Sequence, residues 1–75
     1  LGEIVIFKMP DGPGVGELRP AIVVRVHEDD EENGGASLRV ITDPSRDPAI
    51  GYVDYCRRGH RLGEWHPKGE TQPWD

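Results

Sequence analysis

The feature that most constrains this chain is its punctuation. Clusters of proline, glycine and aspartate, at Pro10-Asp11-Gly12-Pro13-Gly14, Asn33-Gly34-Gly35 and Asp43-Pro44-Ser45-Arg46-Asp47-Pro48, divide 75 residues into short apolar pieces. None of these pieces keeps the roughly 3.6-residue period of an amphipathic helix. What lies between the breaks therefore reads as strand.

Residues 3–8, EIVIFK, are β-branched or aromatic and run into the first turn cluster. Pro20, with no N–H to lose, opens a second strand, AIVVRVH. Alternation there places Ile22, Val24 and Val26 on the core face and Ala21, Val23, Arg25 and His27 on the other. EDDEENGG predicts a solvated hairpin loop in which Asn33-Gly34-Gly35 supply positive φ angles. SLRVIT follows as a third strand, with Leu38 and Val40 alternating against Arg39 and Ile41, then IGYVDYC over residues 50–56 and a fifth short strand around residues 62–66. The core assigned on this basis is Ile4, Ile6, Ile22, Val24, Val26, Leu38, Val40 and Val53.

Short strands without a helix predict an all-β domain. The architecture that removes its exposed edges is a small five-stranded antiparallel SH3-like barrel over residues 1–67, with residues 68–75 as a C-terminal tail. An OB-fold suits this length less well. In the barrel, the long loop at residues 9–19 lies beside the mouth, and Trp65 closes one end while its N–H finds an acceptor.

Charge narrows the functional classes. The formal charge is −5, and the unbroken run Glu28-Asp29-Asp30-Glu31-Glu32 accounts for all of it, leaving the remainder balanced. Nucleic-acid affinity rests on surplus lysine and arginine, so a polyanion-binding role is disfavoured. No apolar run approaches the roughly 18 residues of a membrane span, and no signal peptide is visible. One cysteine, Cys56, excludes an internal disulfide and reads as a packing residue beside Tyr55.

Candidate sites are few. Arg19, directly before Pro20, is either a functional arginine or a doorpost whose stem covers the barrel end while its guanidinium holds Glu17 or Asp11. Cys56, His60 and His66 could suit zinc, but C-x3-H-x5-H matches no standard set, and a fourth ligand such as Asp54 would have to be added. Asp29-x-Glu31-x-Asn33-Gly34 imitates half a calcium loop, yet Val40 stands where the bidentate glutamate belongs. No metal or other cofactor is expected. There is no Ser-His-Asp context, no phosphate-binding glycine loop before a helix and no paired carboxylates, so the chain reads as non-enzymatic.

The remaining features point to protein partners. Arg57, Arg58 and Arg61, near Tyr52 and Tyr55, could grip a single strand of nucleic acid but better suit pairing with the acidic run Glu28 to Glu32 on another copy. Trp74 offers an aromatic hook. Self-association is expected for a core this small.

Two resemblances attach to these residues. Gly2-Glu3-Ile4-Val5, the glycine-rich loop and Arg19-Pro20-Ala21-Ile22-Val23-Val24 resemble the opening of the MazF/PemK toxin family over the first third of the chain. That likeness implies an SH3-like barrel and places Arg19, with His27 or His60, near an RNA-cleaving groove. Pro10-Asp11-Gly12-Pro13, Arg19 to Val26, Val40-Ile41-Thr42-Asp43 and Gly63-Glu64-Trp65-His66-Pro67 together resemble small tailed-phage proteins over most of the chain. This second likeness implies a virion, decoration or assembly component, or a binder of a host factor, located in the host cytoplasm or the virion.

Overall fold

The computed structural model describes residues 2–47 and 51–75. It contains five strands, β1 (Ile4–Lys8), β2 (Leu18–Val26), β3 (Ala36–Val40), β4 (Tyr52–Cys56) and β5 (Trp65–Pro67), in one antiparallel sheet ordered β4-β3-β2-β1-β5. Helical structure among the described residues is confined to two short 3-10 stretches, Glu28–Asn33 and Lys68–Glu70. The start expected for the fourth strand, Ile50, falls outside the described residues.

The long strand β2 organises the sheet. Its first half pairs with β1, from Leu18 opposite Lys8 to Ile22 opposite Ile4, and its second half pairs with β3, from Ala21 opposite Val40 to Val26 opposite Ala36. An extra residue between Val23 and Arg25 forms a bulge, and a second irregularity lies where β3 meets β4. Bulges bend a strand and increase its twist. β2 also begins earlier than its sequence suggests, so Arg19 and Pro20 lie inside the strand. Pro20 is tolerated because its ring nitrogen lies on the β3 side, just beyond the end of that strand, where its carbonyl accepts from Ile41 N–H at 2.9 Å.

The sheet does not close. β4 ends at Cys56, and beyond it the chain approaches β5 through one isolated parallel bridge between Arg58 and Trp65. The barrel inferred from edge economy is therefore an open five-stranded sheet, because β5 is three residues long and, among the described residues, no ladder joins it to β4.

The core is Val5, Phe7, Met9, Ala21, Val23, Ala36, Leu38, Val40 and Cys56, with Val53 and Trp65 packed against it. Leu38 and Val40 are where alternation placed them. Five other expected core residues are not: Ile4 is 50% exposed, Val24 42% and Val26 53%, and Ile6 and Ile22 are only half-buried. In β1 and β2 both faces are apolar, so hydrophobicity alone cannot choose between them, and a one-residue slip exchanges the whole set. Val26 differs: after the bulge it stands opposite the core residue Ala36, and it is exposed because it is the last residue of β2.

The acidic segment is also more ordered than a solvated loop. Residues Glu28–Asn33 form 3-10 turns with a kink at Asp30, ended by Gly34 at φ 65°. A Cβ at Gly34 would lie 2.6 Å from Arg58 Cβ, so the position requires glycine both for its backbone angle and for the close approach of the chain after β4. Asn33 and Gly35 do not have positive φ.

Candidate functional site

Arg19 is anchored on four sides. Nε donates to Asp47 Oδ2 at 2.7 Å, Nη2 to Asp47 Oδ1 at 3.1 Å and to Glu17 Oε1 at 3.1 Å, and Nη1 to the Leu18 carbonyl at 3.0 Å. This is the planar two-pronged pairing that guanidinium makes with carboxylate. Asp47 also accepts from the Asp43 N–H at 2.6 Å, while Asp43 Oδ1 accepts from Ser45 N–H and Oγ, so the whole turn at 43–47 is folded around the pair. Arg46 reaches back to Glu17 at 2.5 Å and to the Pro13 carbonyl, joining that turn to the first loop. The guanidinium and its hydrogen bonds hold the Asp47 carboxyl below the usual carboxylate range, and the same pairing raises Arg19 further above its ordinary value.

Of the partners named for Arg19 from sequence, Glu17 is found and Asp11 is replaced by Asp47. No local pattern marks Asp47, which lies 28 residues away in what reads as turn chemistry. His27 stands at the other end of β2, eight residues on. That separation is about 26 Å along an extended strand, so Arg19 and His27 do not share a groove. His27 Nε2 instead lies 2.9 Å from Ser37 Oγ, with the ring edge-on to Tyr55.

The acidic run and the basic turn meet within one chain. Arg58 N–H donates to the Asn33 carbonyl at 2.9 Å, and Glu31, Glu32, Asn33 and Gly34 face Arg57, Arg58 and Glu64 across an open cleft of about 410 Å³. Asp30 accepts from Tyr55 Oη and, at 2.6 Å, from Asn33 Nδ2. Those hydrogen bonds, with Arg57 nearby, hold its carboxyl below the usual range. Arg58 pairs with Glu70 and lies over the Trp65 ring, 5.8 Å from its centroid. Glu28, Asp29, Glu31, Glu32, Arg57 and Arg61 remain exposed at the rim. Trp65 Nε1 donates to the Gly34 carbonyl at 2.8 Å.

Residues 68–75 are not free of the sheet. They lie over the outer face at the β1–β5 edge, where Thr71 Oγ1 is 3.0 Å from His66 Nε2 and the Asp75 carboxylate is fully buried between Lys8, His60 and His66. Trp74 itself is 72% exposed. Cys56 is buried; its thiol donates to the Ala36 carbonyl at 3.7 Å, and burial pushes it up to about 12.

A last feature of the molecule is the part of its outer face that residues 68–75 leave uncovered. Ile4 stands opposite Ile22 and Ile6 opposite Pro20, with Ile22 opposite Arg39 and Arg39 opposite Tyr52, so one apolar surface with an arginine near its middle crosses β1 to β4. Ile4, Val24, Ile41 and Tyr52 are between 42% and 52% exposed. No family model, curated protein or solved structure matches the chain.

Proposed function

We propose that this chain is a non-enzymatic protein-interaction module on an opened SH3-like sheet, of the kind the phage resemblance implies, acting in virion assembly or on a host factor. The observation that carries the reading is the outer face around Ile4, Ile22, Val24 and Ile41. Contiguous apolar surface left exposed on a small domain marks an interaction site, and strands apolar on both sides are those normally covered on both sides. The strand order, with one long strand shared between two partners, supports the SH3-like relationship. Arg19 supports the absence of catalysis, because its donors are directed to Asp47, Glu17 and Leu18 rather than to an open groove.

The first partner to test is a second copy, since a core of this size leaves little stability to spare. Sedimentation over a concentration series should show a species larger than the 8.4 kDa monomer, abolished by Ile22→Lys with Val24→Lys while circular dichroism is unchanged. A wild type that stays monomeric throughout removes the second copy and leaves the face to a foreign protein. RNA cleavage lost in Arg19→Ala with an unchanged spectrum would overturn the interaction reading in favour of a ribonuclease of the MazF/PemK type.

A further inference from the structure

The cluster that fastens the C-terminal segment contains the donor set of a metal site. His60 from the turn before β5, His66 from β5 and Asp75 from the C-terminal segment each present one ligand-type atom, all within 4.8 Å of one another. His60 Nδ1 is 2.9 Å from Asp75 Oδ2, and His66 Nε2 is 3.8 Å from the same oxygen. His66 is fully buried, and its Nδ1 has no hydrogen-bond partner among the described residues. An imidazole buried with an unused nitrogen lacks the satisfaction that interiors ordinarily demand. The atom that faces Asp75 is the other ring nitrogen, Nε2, which also lies 3.0 Å from Thr71 Oγ1, so binding a metal takes Nε2 from that hydroxyl.

We infer that His60, His66 and Asp75 bind one divalent transition-metal ion, zinc being the representative probe, which clips residues 68–75 to the β1–β5 edge. Two imidazoles and a carboxylate are borderline ligands, suited to zinc, cobalt or nickel and poorly suited to calcium or magnesium, which take oxygen. Tetrahedral ligands at zinc bond lengths stand about 3.3 Å apart, so the donors need to move by about an ångström.

Two features define what binding must change. The His60 and His66 rings are stacked, 4.3 Å between centroids and 21° between planes, and parallel rings cannot both aim in-plane lone pairs at one ion. Binding therefore turns the His60 ring, whose side chain is 31% exposed, out of the stack while buried His66 stays in place. Any proton held between His60 Nδ1 and Asp75 leaves to solvent, since the ligating imidazole is neutral. Lys8 Nζ, 3.8 Å from Asp75 Oδ1 and donating to the His60 carbonyl, is the competing cation at the site.

The sequence hid this set because Asp75 reads as tail and Cys56 as the nearest thiol. Cys56 belongs to the core on the other face of the sheet and is not a member of the cluster.

The test is titration of the whole chain with zinc chloride by calorimetry, with cobalt(II) absorption as the readout of ligand type. One equivalent per chain is expected, with a raised melting temperature and a cobalt spectrum lacking a thiolate charge-transfer band. His60→Ala and Asp75→Asn each weaken binding by at least about tenfold, the scale at which even outer-shell partners of a metal act. Lys8→Met strengthens it by removing the competing charge, which a variant that merely damaged the fold could not do. Cys56→Ser leaves it unchanged. No saturable binding, binding indifferent to His60→Ala and Asp75→Asn, or a thiolate band that vanishes in Cys56→Ser would each overturn the assignment.

Discussion

Arg19 shows how one side chain can be decided by its partners rather than by its sequence neighbours. Its two-pronged bond to the fully buried Asp47 side chain ties β2 to the turn at 43–47, and the linked pKa shift gives this a pH signature. Asp47 is held below its ordinary value when folded. Its stabilisation is therefore complete above the unfolded carboxylate value of about 3.9 and is lost as pH falls through that value toward the folded one. Melting temperature should drop over that acid range more steeply in the wild type than in Asp47→Asn, which begins lower at neutral pH. Equal slopes would mean that the pair contributes nothing. Arg19→Lys should lose most of the effect, since an ammonium cannot make the fork. Cys56 offers a second check: with its thiol pushed up to about 12 by burial, the thiolate is scarce in the folded chain at mildly alkaline pH. Iodoacetamide should label it slowly until denaturant is added, and rapid labelling of native protein would place the residue at the surface instead.

At the level of elements, strand existence was legible and strand facing was not. Turn clusters mark where β1, β2 and β3 end, because proline and glycine act locally and need no knowledge of the rest of the fold. Facing depends on what covers each side, and in IVIFK and AIVV both sides are apolar, so Val23 and Val24 look alike in sequence although one is 2% and the other 42% exposed. The same limit concealed Asp47 and Asp75, whose partners lie in other segments. Core substitutions separate the two registers. Phe7→Ala should cost about 3–5 kcal/mol and Leu38→Ala about 2–5 kcal/mol in denaturant melts. Val24→Thr should stay within about 0.5 kcal/mol, as exposed positions do. A large loss at Val24 with a small one at Phe7 would restore the register read from alternation. Gly34→Ala should cost about 1–2 kcal/mol from its left-handed backbone alone, before the clash with Arg58 is counted.

For the whole molecule, the arrangement of charge bears on how copies can meet. The complementary acidic run and basic turn invite a salt-sensitive contact between chains, but Asp30, Asn33 and Gly34 already lie against Arg57, Arg58 and Trp65 of the same chain. Using those groups between copies would first require opening the monomer at the end of its sheet. The outer face around Ile4, Ile22, Val24 and Ile41 carries no such cost, as its apolar atoms are already exposed. The two contacts respond differently to salt. Exposed ion pairs fade as the Debye length shrinks from about 10 Å at 0.1 M to about 3 Å at 1 M, whereas apolar burial is not screened. Association should therefore persist when salt is raised over this range. Reversing Arg57, Arg58 and Arg61 to glutamate together should lower the melting temperature of the chain, because like charges then face Glu31, Glu32 and Glu64, while the sedimenting species keeps its size as long as the protein is folded. Dissociation by salt at constant melting temperature, or a triple variant that is monomeric and as stable as wild type, would return the interface to the charged end of the sheet.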